Sequence, residues 1–406
     1  MTTLDWHYKG LPLDVGEIEL ADIPKQGWNV LRGDLPTPLM VLLRDPLTDN
    51  IAAMAAWCAE RDLLLAPHGK STMAPQIFER QLAAGAWALT CATPWHLRVY
   101  REVGVSRVIY ANELVEPAAL RFVATELARD PGFELYCLAD SVGSVEIMQR
   151  ELAAAGAPRP VGVLVEVGHD GARCGCRTVE QALAVAEAIS AAPLLDLAGV
   201  EAFEGLRPVA DLPAALAGVD AFMARLIEVF ERVGHLLPER PILTAGGSAF
   251  FDRVAVAFAG RPVTAVIRSG CYVTQDGGHY DRVSPLGRAR GGPLRNAMEI
   301  WGVVLSRPEP GLAITSFGRR DVPYDLGLPA PVWLARDGVR QPLAGAETIG
   351  LSDQHGHIRV PPQLDIRPGD LVGATISHPC GAFDRWRLLL VVDDAYDVVD
   401  AVTTVF

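Results

Sequence analysis

The sequence predicts an α/β protein in which a (β/α)8 barrel of the TIM type accompanies a second, mostly antiparallel β domain. From about residue 37 to 290, short β-rich runs alternate with helical patterns rich in Ala, Leu, Glu and Arg. The β-rich runs are almost entirely apolar, which is typical of parallel strands covered by helices on both faces. After residue 291 the helical periodicity fades, and short β runs lie between turns that contain Gly and Pro.

The barrel is predicted over residues 37–290, with one more candidate strand than a closed barrel of eight strands needs. We expect the extra strand to be an end strand that joins the neighbouring domain. The candidate strands are Leu39–Leu43, Leu63–Ala66, Ala88–Ala92, Arg107–Tyr110, Glu134–Ala139, Val161–Val167, Leu197–Phe203, Ile242–Ala245 and Ala265–Ser269. The helical patterns between them include Ala52–Arg61, Pro94–Val103, Val142–Ala155 and Leu212–Val233.

Residues 1–36 and 291–406 are predicted to form the β domain together. The boundary follows a segment in which two glycines and a proline end the last helical pattern. The first 36 residues show weak patterning, and we expect them to pack on this domain. Its candidate strands are Met298–Ser306, Ala313–Phe317, Val332–Ala335, Leu371–Ser377 and Trp386–Val392.

The composition indicates a soluble cytoplasmic protein. The chain of 406 residues carries a formal net charge of −13, which disfavours nucleic acid and anionic membranes as partners. Its seven cysteines are odd in number and lie in apolar segments, so we expect reduced thiols. No apolar run reaches about 18 residues, and the N-terminus lacks a cationic segment followed by an apolar core. Neither a membrane span nor a secretion signal is therefore expected.

Lys70 is the first candidate for chemistry. It lies on a short turn directly after the apolar run Leu63–Ala66. A lysine at the end of a buried strand can be desolvated enough to lose its proton, and a neutral amine forms Schiff bases with carbonyl cofactors. The alternative is an ordinary solvated lysine in a βα loop.

The turn after Ile242–Ala245 is a candidate phosphate site. Late strands of such barrels commonly hold a phosphate, because exposed backbone N–H groups attract an anion. Gly246 and Gly247 let the backbone approach a ligand closely, and Ser248 offers a hydroxyl and a cap for the following helix. The alternative is a Gly-Gly turn with a Ser cap. Tyr272, after the next strand, could reach the same phosphate.

Three further segments could carry chemistry. Arg173, after Val161–Val167, could pair with a cofactor phenolate or a substrate carboxylate, or could be a surface arginine. Cys174 and Cys176 are interpreted as core or loop thiols, since two thiolates without further spaced ligands are weak support for a metal site. The segment Ser352–His357 could add acid–base groups, but a polar β-turn is favoured.

His378 and Cys380 form the best metal candidate. A spacing of two along an extended chain puts both side chains on one side, and an imidazole with a thiolate suits Zn²⁺. Two protein ligands leave positions for water or substrate, as Lewis-acid catalysis requires. The alternative is a buried thiol beside a hydrogen-bonded histidine.

Together, these motifs resemble the D-threonine aldolase/D-serine dehydratase family, whose members are pyridoxal-phosphate enzymes of the alanine-racemase-like fold. The resemblance covers about residues 36 to 390. The motifs that carry it are Pro67–Lys70, Arg173–Gly175, Gly246–Ser248, Ser269–Tyr272, Asp353–Gly356 and His378–Cys380.

The resemblance implies a site for pyridoxal 5′-phosphate. It implies that Lys70 binds the cofactor covalently, that Arg173 lies near its phenolate oxygen, and that His68 is a further cofactor-binding residue. Its phosphate would be surrounded by Gly246, Gly247, Ser248 and Tyr272. The resemblance also implies that His378 and Cys380 hold Zn²⁺, or Mn²⁺, which grips the β-hydroxyl of a small D-amino acid, and that the enzyme is a homodimer.

The branch of the family that the chain resembles predicts a D-3-hydroxyamino-acid dehydratase, which yields a 2-oxo acid and ammonia. The aldolase branch generally carries His-x-Asp at the metal, whereas the dehydratase branch carries His-x-Cys, and this chain has Cys380. The chain also lacks the histidine that members often have after the seventh candidate strand, and it has Phe203 there. The alternatives are a D-threonine-type aldolase that gives glycine and an aldehyde, and a noncatalytic pyridoxal-phosphate carrier.

Overall fold

The computed structural model describes residues 2–205, 211–288 and 292–406, and the chain divides into two compact units. The β unit comprises Met1–Ala53, Ser71–Arg80 and Cys271–Phe406, and the barrel unit comprises Met54–Lys70 and Gln81–Gly270. The predicted boundary at residue 290 lies outside the described residues.

The barrel unit contains eight parallel strands, as the sequence predicts. Their order around the sheet is Leu64–Leu65, Thr264–Ile267, Ile242–Ala245, Leu195–Ala202, Val161–Val167, Glu134–Ala139, Arg107–Glu113 and Leu89–Cys91. The two ends of this sheet meet, because His68 forms a parallel bridge with Thr90, whose N–H donates to the Pro67 carbonyl at 2.9 Å. All strands therefore end at the same rim.

The barrel core is an apolar layer to which most strands contribute a side chain. Ala66, Ala88, Ile109, Leu138, Leu164, Ile242 and Val266 form one buried cluster. Helices cover the outside of the sheet: Pro94–Glu102, Pro117–Arg129, Val142–Ala154, Val179–Ala191, Leu212–Val233 and Phe251–Phe258. Side-chain caps explain where several helices begin; Thr178, for example, forms a capping box with Gln181.

The extra candidate strand, Leu39–Leu43, lies in the β unit. It pairs antiparallel with Met298–Glu309 and parallel with Leu388–Val392. The other strands of this unit are Thr3–Leu4, Ile18–Glu19, Leu312–Thr315, Ala330–Arg336, Val339–Pro342, Glu347–Leu351, Gly356–Arg359, Leu371–Thr375 and Val398–Thr403. Their pairings are antiparallel, so the mostly antiparallel β domain is confirmed.

The remaining helical elements are short, apart from the helix Arg44–Ala59. They are Leu20–Lys25, Val30–Arg32, Gly69–Ser71, Pro75–Ala83, Gly234–Leu236, Cys271–Val273, His279–Val283, Pro285–Arg288 and Cys380–Phe383. In the described part of the chain, no helix combines the length and the apolar character needed to cross a membrane.

A buried carboxylate organises the core of the β unit. Glu299 accepts hydrogen bonds from the indole N–H groups of Trp301 at 3.2 Å and Trp333 at 3.0 Å, and from the Tyr396 hydroxyl at 2.7 Å. Burial raises the pKa of Glu299, and these three donors oppose that rise. The carboxylate thus connects three aromatic side chains that would otherwise have no buried acceptor.

We expect Glu299→Ala to lower the free energy of unfolding by about 3 kcal/mol, because it leaves two buried donors, on Trp301 and Tyr396, and the partly buried Trp333 indole without an acceptor. Glu299→Gln should be less damaging, since the amide oxygen still accepts. Urea unfolding measures both effects. The control Glu347→Ala removes an exposed carboxylate that pairs with Arg359, and it should change stability by no more than about 0.5 kcal/mol. Equal effects of the two alanine variants would contradict the assignment.

Candidate functional site

Lys70 is one of only three lysines in the sequence. The other two are engaged: Lys9 Nζ lies 2.9 Å from an Asp321 oxygen, and Lys25 Nζ lies 2.5 Å from an Asp22 oxygen. Lys70 is exposed and forms no ion pair with any described residue. The expected desolvation of this lysine is therefore not present, because its side chain extends from the short helix Gly69–Ser71 towards solvent. Lys70 is therefore the lysine whose amine is not held in an ion pair by a described residue.

A buried ion pair lies where the last strands of the barrel end. The Arg268 guanidinium donates to a Glu201 carboxylate oxygen, to Thr244 Oγ1 at 2.7 Å and to the Ala202 carbonyl at 3.1 Å. Burial raises the pKa of Glu201, and the positive charge of Arg268 opposes the rise. Both charged side chains are almost completely inaccessible, so the rim holds opposite charges in a medium that screens them weakly.

Several buried polar atoms of the barrel rim have no hydrogen-bond partner among the described residues. They are His68 Nδ1, Glu166 Oε2, Glu201 Oε2 and Arg268 Nε. Burial, with smaller contributions from the charges of Lys70 and Arg268, holds the pKa of His68 well below its usual range. The imidazole is therefore neutral. Because unpartnered buried donors and acceptors are unfavourable, this rim fits a small ligand that carries polar groups of both kinds.

Arg173 lies on a loop that returns to the end of a barrel strand. Its guanidinium carbon lies 4.4 Å from the ring centroid of Phe203. The loop needs glycine at position 175, because a Cβ on Gly175, whose φ is +103°, would lie 2.4 Å from the backbone nitrogen of Gly168. The Gly175 N–H also donates to Asp140 at 3.0 Å. This packing fixes the base of the loop that carries Arg173.

The Gly246–Gly247 turn binds an anion that belongs to the chain itself. The Gly246 and Gly247 N–H groups donate to the two carboxylate oxygens of Glu204 at 3.0 and 2.7 Å. Gly246 has a φ of +100°, which favours glycine. The predicted helix cap at Ser248 is wrong, because the next helix begins after Phe250, two residues further along the chain, with no side-chain cap. The turn nevertheless has the anion-binding character that the sequence suggests.

Tyr272, His378 and Cys380 belong to the β unit. Tyr272 is buried in the short helix Cys271–Val273. His378 Nδ1 lies 2.6 Å from an oxygen of Asp325, so a proton on Nδ1 leaves Nε2 with the lone pair that a metal needs. The extended chain predicted between His378 and Cys380 is wrong, because Pro379 has helical dihedral angles and a short helix begins at Cys380.

Two cysteines of the β unit face each other. Cys271 Sγ and Cys380 Sγ lie 3.3 Å apart, and Ser71 Oγ lies 3.3 Å from Cys380 Sγ and 3.8 Å from Cys271 Sγ. The hydrogen bond with Cys380 lowers the pKa of Cys271 to about 6, and the Tyr280 hydroxyl, which also hydrogen-bonds to Cys271, contributes. None of the seven cysteines forms a disulfide bond in the structure.

A second group of potential ligands lies in the barrel unit, where the sequence analysis did not place one. The group consists of Glu113, Glu166 and Cys174. Each residue offers one ligand atom, and the three atoms lie within 4.8 Å of one another. Burial, followed by the negative charge of Glu201, raises the pKa of Glu166 well above its ordinary value. Burial also raises the pKa of Cys174 to about 12. The three residues form a possible metal site, and a metal bound there would displace protons from Glu166 and Cys174.

The other candidate segments are structural. Cys176 is buried, and its Sγ lies 3.3 Å from the Asp140 carbonyl. The segment Ser352–His357 contains the polar turn between two antiparallel strands, with Ser352 Oγ 3.2 Å from His357 Nε2. Both observations agree with the structural interpretation of these motifs.

Sequence reasoning missed most of the buried charged residues of the rim. Glu166 and Glu201 each interrupt an apolar strand close to its carboxyl end. A carboxylate in such a run is expensive to bury unless it has a partner or a role. That local signal could have identified both residues, whereas nothing in the local sequence indicates that Glu204 contacts Gly246.

We expect Glu166 to make stability depend on pH. Its raised pKa means that the folded state binds one more proton than the unfolded state once the pH exceeds the ordinary value of 4.5, so the free energy of unfolding falls as pH rises. Relative to Glu166→Gln, the wild-type protein should lose up to about 1.4 kcal/mol per pH unit in urea unfolding between pH 5 and 9. Glu180→Gln, at an exposed carboxyl whose pKa is lowered, should parallel the wild type. Parallel curves for Glu166→Gln would refute the assignment.

Comparisons with known proteins identify relatives over most of the chain. Residues 297–392 match the family model described as "Putative serine dehydratase domain". A D-threonine aldolase from Arthrobacter sp. is 29% identical over 367 residues, which cover 88% of this chain and 89% of the relative. A 3-hydroxy-D-aspartate aldolase from Paracoccus denitrificans strain Pd 1222 is 26% identical over 345 residues, covering 83% and 85% of the two chains.

A solved structure agrees with these relatives. The crystal structure of D-threonine aldolase from Filomicrobium marinum superimposes with a TM-score of 0.78 at 25% sequence identity, covering 93% of this chain and 97% of that protein. The fold is the alanine-racemase-like one that the motifs imply. These relatives support the resemblance to the D-threonine aldolase/D-serine dehydratase family that the motifs indicate.

Proposed function

We propose that this chain is a pyridoxal-phosphate- and zinc-dependent lyase that removes water from a D-3-hydroxyamino acid, giving a 2-oxo acid and ammonia. Relatives that are lyases of D-hydroxyamino acids support the coarser assignment. The observation that carries the choice of dehydration is Cys380, a thiol within 3.3 Å of a second thiol and of a hydroxyl group. This environment suits a soft metal and a hydroxide that must be stabilised as it leaves.

The barrel unit fits pyridoxal 5′-phosphate. Lys70 is the lysine that other side chains leave available, and the rim supplies unpartnered buried donors and acceptors. A phosphate on the Gly246–Gly247 turn would exchange with the Glu204 carboxylate, since each N–H donates only one strong hydrogen bond. The residues that we assign to the cofactor are Lys70, His68, Arg173, Gly246, Gly247, Ser248 and Tyr272.

We assign the metal to His378 and Cys380. Asp325 orients the imidazole of His378, as carboxylates commonly do for metal-binding histidines. The Glu113, Glu166 and Cys174 group is the competing location, where a metal would have to displace protons from Glu166 and Cys174. Zinc is preferred to manganese because one of the assigned ligands is a thiolate.

Each assigned residue of this chain has its own role in the proposed reaction. When bound, pyridoxal phosphate withdraws electrons from Cα, and zinc makes the β-hydroxyl a better leaving group. Lys70 Nζ is the base that we assign to the Cα proton. Arg173 supplies a positive charge for an anionic oxygen of the cofactor or substrate. His378 and Cys380 hold the metal, and Asp325 keeps His378 in the orientation that exposes Nε2.

The second candidate is a D-threonine-type aldolase that gives glycine and an aldehyde. The specific observation in its favour is that the three relatives described above are named aldolases. Against it, Phe203 and Glu204 follow the strand Leu195–Ala202, so no imidazole stands at those two positions to deprotonate a β-hydroxyl.

We extend the proposal to a homodimer that acts on a small D-amino acid. Tyr324, Leu326 and Leu328 are exposed on both sides of Asp325 in the sequence. Three apolar side chains so close to a proposed metal-orienting residue form a surface that a second copy of the chain could cover.

We expect borohydride reduction of the purified yellow protein to fix the cofactor on Lys70, because Lys9 and Lys25 are held in ion pairs. Peptide mass mapping should find the label on Lys70 alone. Lys70→Ala should be colourless and unlabelled, whereas the matched control Lys25→Ala should keep both properties. A label on either of the other lysines would refute the site assignment.

We expect D-serine and D-threo-3-hydroxyamino acids to yield 2-oxo acid and ammonia in equal amounts, with little glycine. The physical reason is that a thiolate-bound zinc neutralises a departing hydroxide, while the chain lacks a nearby histidine base for carbon–carbon cleavage. Chromatography of the products and an ammonia assay measure the ratio, and L-serine is the control substrate. Stoichiometric glycine and aldehyde from D-threonine, without ammonia, would establish the aldolase alternative.

A further inference from the structure

The pair formed by Cys271 and Cys380 has a chemistry that the proposed reaction does not use. The two Sγ atoms lie 3.3 Å apart, although 109 positions separate the residues in the sequence. Both residues belong to the β unit, so the fold of this unit brings the two thiols together. A disulfide bond has an S–S distance of about 2.05 Å, so the sulfur atoms would have to approach each other by only about 1.3 Å to form one.

The chain segments that carry the two cysteines are packed tightly against each other. Gly277 and Gly278 lie a few residues after the first cysteine, and they contact the segment that leads to the second. A Cβ on Gly277 would lie 2.5 Å from Thr375 Oγ1, and a Cβ on Gly278 would overlap Ser377 Oγ. The backbone therefore holds the two thiols close together. A fixed approach of this kind makes the reaction between them effectively unimolecular.

We propose that Cys271 and Cys380 are a site of reversible oxidation, at which hydrogen peroxide converts the two thiols into an intramolecular disulfide bond. Cys380 is partly exposed whereas Cys271 is buried, so we assign the first step to Cys380. Its sulfur attacks one peroxide oxygen and the O–O bond breaks, which gives a sulfenic acid and one water molecule. The sulfur of Cys271 then attacks Cys380 Sγ. The S–S bond forms, the S–O bond breaks, and the oxygen leaves as a second water molecule.

The electrons and protons of this reaction balance without a further reactant. The two sulfur atoms together lose two electrons, which reduce the peroxide. The two thiol protons end in the two water molecules. The reverse reaction requires a dithiol, which reduces the disulfide by thiol–disulfide exchange.

The surroundings of the pair suit the second step. Ser71 Oγ lies 3.3 Å from Cys380 Sγ and 3.8 Å from Cys271 Sγ. Because a hydroxyl group can turn its hydrogen towards different acceptors, Ser71 can donate a hydrogen bond to the oxygen that leaves Cys380. The Tyr280 hydroxyl hydrogen-bonds to Cys271, which orients the attacking sulfur.

The consequence of this oxidation for activity rests on the proposed function. A metal binds the thiolate form of a cysteine, and a sulfur atom in a disulfide bond is no longer a thiolate. Oxidation should therefore release the metal that we assign to His378 and Cys380, while the cofactor that we assign to Lys70 stays bound. Loss of one of two protein ligands should weaken metal binding at least about 100-fold.

Peptide mass mapping of the full-length, zinc-loaded protein tests the proposal. The protein is treated with hydrogen peroxide, its remaining thiols are alkylated, and it is digested without a reductant. We expect one pair of linked peptides, which joins Cys271 to Cys380, and we expect dithiothreitol to separate them. A chromophoric chelator should detect zinc release on oxidation, and activity should return once dithiothreitol and zinc are added. The visible absorption of the cofactor should persist throughout.

Two variants sharpen the test. Cys271→Ser removes the second thiol, so continued peroxide treatment should oxidise Cys380 to a sulfinic acid that dithiothreitol does not reduce, and the loss of activity should be permanent. Cys174→Ser is the matched control, because Cys174 is the other cysteine that is partly exposed. This variant should give the same linked peptides and the same recovery as the wild type.

The peptide map of the wild type needs no substitution, so it decides the proposal even where a variant does not fold. The absence of a linked pair, or a pair that joins other cysteines, would overturn the proposal and leave the proposed function intact. Full recovery of oxidised Cys271→Ser by dithiothreitol would also overturn it. The expected linked pair without any release of zinc would support the oxidation site and contradict the metal assignment to Cys380.

Discussion

Closure of the parallel sheet is the constraint on which the barrel site depends. The bridge between His68 and Thr90 joins the first and second strands of the barrel, so every strand must end at one rim. Because the strands are parallel, residues at their carboxyl ends lie at that rim even when they are far apart in the sequence. Lys70, Glu166 and Arg268 come from three different strand ends. The hydrogen bond from the Thr90 N–H to the Pro67 carbonyl belongs to this closure.

The buried charges of the rim make the barrel less stable than an apolar core would. Burying Arg268 and Glu201 together incurs desolvation for both charges, and their mutual attraction only partly offsets it. Arg268 Nε and Glu201 Oε2 still lack partners among the described residues. Well-packed apolar side chains of similar volume would stabilise the barrel better, so stability does not explain this choice of residues. A polar ligand that completes the hydrogen bonding would explain it, which connects the energetics to cofactor binding.

Local patterns predicted the elements, but not the contacts between distant elements. The bounds of Leu212–Val233 and Val161–Val167 match the prediction because periodicity and caps act within a few residues. The extra strand Leu39–Leu43 was recognised, but its partner Met298–Glu309 lies far along the chain. Lys70 was found because its turn is local, whereas the bond from Gly246 to Glu204 spans 42 residues. The extended geometry assumed at His378–Cys380 was wrong because Pro379 starts a helical turn, a choice that the local spacing does not reveal.

The group of potential ligands in the barrel unit and the cysteine pair in the β unit differ in the direction of their pKa shifts. Glu166 and Cys174 are buried beside like charges, and both effects raise their pKa values and favour the protonated forms. Cys271 and Cys380 instead have hydroxyl groups beside them and an imidazole two residues before Cys380. Similar donor atoms in the two units thus lead to opposite chemistry, because the neighbours of a ligand decide its charge. Under the proposed function, the lowered pKa of Cys271, which its hydrogen bonds with Cys380, Tyr280 and Ser71 produce, places an easily ionised thiol beside the proposed metal ligand Cys380.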